Sequence, residues 1–138
     1  MPQLRKAPNR YVQNKYYYIY LKPKAMFKNP FSFEGRIRRT EYGLSLIIFA
    51  VARVIVMFLA IAMAGSDLNS ANIIALVLSI PLLIFLWAQG AKRCHDVGNS
   101  GWWQLIPFYP IYLIFGEGNK GLNKYGEDPK ANPEIDNF

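Results

Sequence analysis

Two long apolar runs, Tyr42 to Ala64 and Ile73 to Ala91, constrain this chain more than any other feature. They hold 23 and 19 residues, and the connector between them, Gly65 to Asn72, contains no lysine or arginine. A helix needs about 20 apolar residues to cross a hydrocarbon core of roughly 30 Å, so each run is long enough to span a bilayer. The pattern predicts a transmembrane helical hairpin. Ala62-Met63-Ala64 mimics a signal-peptidase site, but the charged leader before the first run is 41 residues long. Signal peptides have a short leader and an apolar region of about 7 to 15 residues, so no cleavage is expected.

Charge gives the hairpin a direction. Residues 1–41 carry ten Lys/Arg against Glu34 and Glu41, a balance of +8; residues 42–115 carry +1 and residues 116–138 carry −2. Arg36, Arg38 and Arg39 precede the first run, Lys92 and Arg93 follow the second, and the connector offers only Asp67. Basic flanks mark the cytoplasmic side, so the N-terminus is expected in the cytoplasm of a plasma (bacterial inner) membrane. The same charges argue against nucleic-acid binding, because topology already accounts for them and no recognised binding fold accompanies them. A single cysteine excludes an internal disulfide and any cysteine-rich metal site.

The expected organisation is a basic amphipathic region (1–41), a membrane domain (42–115, with segments near 42–64, 73–91 and 102–115) and a polar Gly/Asn-rich tail (116–138). Between Tyr11 and Leu21, Val12, Tyr16, Ile19 and Tyr20 recur at helical spacing, as in an interfacial helix drawn to anionic headgroups; a disordered basic tail is the alternative. Thr40 is the expected cap of the first span. Trp102 to Phe115 is a third apolar segment, 14 residues long and interrupted by Pro107 and Pro110. That length fits a short tilted crossing or a deep re-entrant loop, and the two put the C-terminus on opposite sides. The fold class is therefore an all-α integral membrane protein: a helical hairpin, a short third membrane segment and an N-terminal interfacial helix.

Arg53 lies eleven positions from either end of the first run, near mid-membrane. A charge there costs about 2.5 to 3.5 kcal/mol on insertion scales and normally has a partner. Antiparallel helices set it level with Ser79 to Pro81, where Pro81 frees the Val77 carbonyl; the expectation is that Arg53 donates to that carbonyl and to the Ser79 hydroxyl. Small residues at four-residue spacing, Ala60 and Ala64 against Ala71, Ala75 and Ser79, mark a close contact within the hairpin or a homodimer face.

Arg93-Cys94-His95-Asp96 looks like catalytic stock, but consecutive helical side chains diverge by about 100° and do not converge as a triad. Asp96 is expected to cap the turn or pair with Arg93 at the membrane surface, with His95 titrating near neutral pH. A lone histidine builds no zinc site. Gly98 to Gly101 forms a turn, and Trp102 and Trp103 suit the interface. Gly116 to Gly121 matches the dinucleotide fingerprint G-x-G-x-x-G, yet no strand precedes it and Asn123, Gly126 and Pro129 block a following helix; a surface loop is the reading.

Three stretches, Phe33 to Tyr42, Lys92 to Trp103 and Gly121 to Pro129, taken in order around the apolar runs, resemble the YhaH-like bacterial inner-membrane family, the domain of unknown function numbered eight hundred and five. The resemblance covers about Tyr16 to Pro129. Gly43 stands where that family has tryptophan, and Met1 to Lys15 is an added leader. The resemblance implies a handful of membrane helices and brings no activity, substrate or cofactor. It also implies that the Arg93-His95-Asp96 turn and the tail residues Asn123, Tyr125 and Gly126 belong to one polar patch.

The functional expectation is a non-enzymatic accessory, assembly or envelope component, without cofactor or metal. Its partners are anionic lipid and either further copies or other membrane proteins. A minimal oligomeric transporter or channel lined by Arg53 and Pro81 is the alternative. The candidate polar sites are Arg53, Pro81, Arg93, His95, Asp96, Gly101, Trp102, Asn123, Tyr125 and Gly126.

Overall fold

The structure, a computed structural model, describes residues 26–130. The expected interfacial helix at Tyr11 to Leu21 lies outside them. Two long helices dominate: α1, Arg39–Ala64, and α2, Leu68–Val97. A 3-10 turn at Gly101–Leu105 and a seven-residue helix, α3, Tyr109–Phe115, follow. No strand occurs among the described residues.

The reversal between α1 and α2 is tighter than the expected connector. Gly65 ends α1 at a positive φ of 66° and returns its N–H to the Ile61 carbonyl. Asp67 then caps α2, accepting from the Asn69 N–H at 3.0 Å and from the Ser70 hydroxyl. That cap starts the helix at Leu68 rather than Ile73. At its far end α2 runs on past Ala91 to Val97, giving 30 residues, about 45 Å, which exceeds the hydrocarbon core. Its last turns therefore stand clear of the apolar layer. Pro81 is accommodated without a break in α2.

Burial separates this hairpin from the core helices of a soluble protein. Only 6% of the most apolar stretch of α1 and 22% of that of α2 is buried, and Val51, Val54, Ile55, Phe58 and Leu59 all point outward. Inward come the small residues Ala60, Ala71, Ala75 and Ser79, all buried. Lipid supplies no hydrophobic drive between helices, so close backbone approach through small side chains holds them.

Two local expectations are corrected. Thr40 does not cap α1: the chain arrives extended at Arg38, and the Tyr42 N–H bonds to the Arg38 carbonyl, so the helix begins one residue before Thr40. Among the described residues Arg53 bonds neither the Val77 carbonyl nor the Ser79 hydroxyl. The Ser79 hydroxyl donates instead to the Ala75 carbonyl one turn back, at 2.5 Å, and the Arg53 Nη1 is enclosed without a hydrogen-bond partner. A hydroxyl on a helix finds the carbonyl four residues earlier more readily than a group on another helix.

The third segment begins and ends at the same end of α2. Gly101 packs against Ala91, and Gly116, just past α3, accepts a hydrogen bond from Arg93. Phe108 takes a positive φ of 66° between Pro107 and Pro110, folding the segment back on itself. Seven residues of α3 cover only about 10 Å, far short of a bilayer.

Candidate functional site

A polar cap closes the end of the hairpin where α1 begins and α2 finishes. The lead-in strap, residues 26–38, lies across α2: Gln89 Nε2 donates to the Pro30 carbonyl at 2.6 Å, Lys92 Nζ to the Asn29 carbonyl at 3.1 Å, and the rings of Phe27 and Phe31 each sit 6.1 Å from Phe85. Extended backbone sends neighbouring side chains to opposite sides. Ile37 accordingly enters a small core with Tyr42, Cys94 and Leu113, while Arg36 and Arg38 both reach the tail.

The centre of the cap is Asp96, 2% exposed, clamped between two guanidinium groups. Arg36 approaches one carboxylate oxygen at 3.0 Å, and Arg93, fully buried one turn earlier on α2, bonds the other. Two cations around one anion leave a positive charge unbalanced in a poorly hydrated place. Backbone carbonyls supply the compensation: Arg93 also donates to Leu113 at 2.9 Å and to Gly116, and Arg36 to Gly121 at 2.6 Å, Gly126 at 3.1 Å and Asn119. A buried ion cluster is tolerable only when its remaining donors are satisfied in this way.

Three of these five carbonyls, those of Gly116, Asn119 and Gly121, belong to the G-x-G-x-x-G stretch. Gly118 serves close approach, since a Cβ there would collide with the Asp96 carboxylate, and the Asn119 N–H closes the contact on the Asp96 carbonyl at 2.7 Å. The stretch is a surface loop, as read from sequence, and Gly118 and Asn119 dock it on Asp96. Gly98, at φ 94°, ends α2 with its own N–H on the His95 carbonyl and that of Asn99 on Cys94, the paired bonds of a Schellman turn.

The structure brings six of the singled-out residues into the cap: Arg93, His95, Asp96, Asn123, Tyr125 and Gly126. Asn123 Nδ2 donates to the His95 carbonyl at 2.9 Å, the Asn123–Gly126 turn is closed by two 3.1 Å bonds, and the Tyr125 ring stacks on His95 at 3.9 Å. Gly101 and Trp102 lie at the cap's edge, where Trp102 meets Trp87 edge-on at 6.3 Å. Arg53 and Pro81 stay apart, on the hairpin. Asp96 pairs with Arg93 as expected, but inside the cap rather than at an open surface.

Sequence reasoning used Arg36 only as a topological marker and missed it as the second clamp on Asp96; the alternation Arg36-Ile37-Arg38 was the signal available. It also missed Lys92 and Gln89, which are buried under the strap. A cleft of about 380 Å³ opens beside the strap between Lys28, Glu34, Arg38, Glu41, Lys92 and Tyr125. A second, of about 520 Å³, opens on the aromatic edge beside His95. Among the described residues no group of three His, Cys, Asp or Glu is arranged to hold a metal ion.

Apolar rods whose large side chains face outward, closed at one end by a satisfied polar cap, define a helical integral membrane protein. Residues 30–127 match the family model described as "Protein of unknown function (DUF805)". The chain belongs to this family. It is similar to the inner membrane protein YhaH of Escherichia coli strain K12, with 31% identity over 115 residues that cover 78% of this chain and 95% of the relative. It is also similar to the inner membrane protein YhaI of the same strain, with 33% identity over 114 residues covering 77% and 92%. No solved structure matches.

Proposed function

We propose that the chain is a double-pass inner-membrane protein with its basic leader and glycine-rich tail both in the cytoplasm, acting as a non-enzymatic accessory or assembly component. One observation carries the non-enzymatic reading: of the groups that would do chemistry, Asp96, Arg93 and Cys94 are tied up internally, and His95 faces its cleft with no second catalytic acid or base beside it among the described residues. Asp96 is held by Arg36 and Arg93, Arg93 reaches only Asp96 and backbone carbonyls among the described residues, and Cys94 is fully buried. General acid–base catalysis needs a group within reach of a substrate proton, and these are not. A cap closed in this way is suited to holding a fixed surface above the hairpin. Location is supported by the outward-facing apolar helices and by the inner-membrane relatives, orientation by the basic flanks.

The reading names two kinds of partner. Anionic headgroups are drawn to the exposed Lys28, Arg38 and Arg39 at roughly 1 kcal/mol per basic residue, and other membrane proteins, or further copies, pack on the hairpin.

Affinity capture from native membranes in mild detergent, followed by native mass, tests the role. A defined oligomer or a stoichiometric complex with another membrane protein is expected. A bare monomer whose membranes show an activity lost in His95→Ala overturns it. Cysteine labels at Asn99 and Asn123, in a Cys94→Ala background, test the topology: both are expected to react from the cytoplasmic side, and labelling from opposite sides refutes the double-pass arrangement.

A further inference from the structure

We infer that the cleft beside His95 binds a membrane-soluble amphiphile carrying a planar ring and a hydroxyl donor, the chemistry of a hydroquinone. The cleft, about 520 Å³, is lined by three aromatic side chains, Phe33, Trp87 and Trp102, by Ala91 and Gly101, and by two polar residues, His95 and Ser100. Trp87 and Trp102 stand perpendicular, 88° between planes, and form a corner. A flat ring placed there meets one indole face-on and the other at its edge, the two arrangements that aromatic quadrupoles favour.

The imidazole has a defined sense. His95 Nδ1 lies 3.2 Å from the Gly35 carbonyl, which can only accept, so Nδ1 carries the proton. In the neutral ring Nε2 is then left as an acceptor. Nε2 sits 3.7 Å from the position a Gly101 Cβ would take, at the cleft wall, and accepts nothing from the described residues. Tyr125 stacked on the imidazole, 6° from parallel, holds its plane. A ligand that engages Nε2 must donate a hydrogen bond, which a hydrocarbon chain cannot do.

The site's depth selects for a lipid-soluble ligand. Trp87 and Ala91 occupy the last turns of the apolar run, and His95 lies one turn beyond it. An amphiphile resting at that boundary keeps its tail in hydrocarbon while its ring lies in the corner that the two indoles form. The inference rests on the membrane placement proposed above. Its test needs only the folded chain, so the two can fail separately.

The test titrates the purified full-length chain in maltoside micelles, under reducing conditions, with a decyl-substituted benzoquinol and with the dimethyl ether of the same compound. Binding is read by calorimetry and tryptophan emission. Saturable binding of the quinol is expected, with the ether about tenfold weaker for want of one hydrogen bond. His95→Phe, which keeps the stack on Tyr125, is expected to bring the quinol down to the level of the ether. Trp102→Leu, at a position 68% exposed, is expected to weaken both. No saturable quinol binding, equal affinity for quinol and ether, or discrimination that survives in His95→Phe overturns the inference. The quinol–ether comparison on the unaltered chain stands even where the histidine variant does not fold.

Discussion

In the hairpin many of the largest side chains point outward and the smallest point in; in the cap an ion cluster, Arg93 with Asp96, is as deeply buried as the apolar Cys94 and Leu113. Phe58 is 69% exposed and Ala60, two residues on, is not exposed at all, whereas in the cap Arg93 is fully buried and Leu122 is 79% exposed. The contrast teaches that two solvents shape one chain. Facing lipid, helices gain nothing from hiding apolar surface and associate through small residues. Clear of the lipid, the cap has few apolar residues to bury and closes instead on an ion cluster saturated by loop carbonyls.

The sharpest way to break the cap is to remove its anion. Asp96→Ala leaves two guanidinium groups facing each other, and a broken buried pair costs about 3 to 5 kcal/mol. Loss of protection at Lys124 to protease, with a lowered midpoint in detergent unfolding, is the expected outcome. The hairpin, held by other forces, keeps its helical circular dichroism. The reverse experiment removes the hairpin's one internal charge. Because the Arg53 Nη1 finds no partner, Arg53→Leu is expected to ease insertion by about 2.5 to 3.5 kcal/mol without loss of fold, read by glycosylation-mapped insertion. An Arg53→Leu hairpin that fails to assemble would show that the charge has a structural partner after all.

Steric tests come next, and they distinguish the two regions. Ala75→Leu at the buried helix contact overpacks the hairpin by about 1 to 3 kcal/mol, and Gly118→Ala does the same to the cap by driving a methyl into Asp96. Phe58→Ala, facing lipid, is the control and should leave the unfolding midpoint unchanged.

The smallest effect is at the reversal. The Ser70 hydroxyl, then the Asn69 N–H, hold the Asp67 carboxyl below its ordinary range. A lowered folded value means that the contribution is fully present above the unfolded pKa of about 3.9 and is lost as pH falls through the lowered one. The difference between the parent chain and Asp67→Asn is therefore expected to be constant near neutrality and to vanish in strong acid, followed by the amide signals of Asn69 and Ser70.

The hairpin was legible because an apolar run of sufficient length has few alternatives, and of the small residues that spacing marked as a contact within it or a homodimer face, Ala60, Ala71, Ala75 and Ser79 are buried inside it while Ala64 is only half-buried. Its limits were less so: Asp67 started α2 five residues before the apolar run, since a cap acts through local hydrogen bonds that a hydropathy count ignores. The pairing of Arg93 with Asp96 was legible from its separation of three on a helix. The role of Arg36 was not, because it depends on a partner 60 residues away.

Composition and order by themselves determined that this chain forms two lipid-length helices with basic flanks at one end of the pair, because the cost of leaving backbone or charge in hydrocarbon admits almost no other solution. Only the tertiary structure decided what closes that end. Which carbonyls meet Arg36 and Arg93, why Gly118 must be small, and where Trp87, Trp102 and His95 face one another all follow from contacts between segments far apart in the chain, and such contacts leave no local periodicity to read.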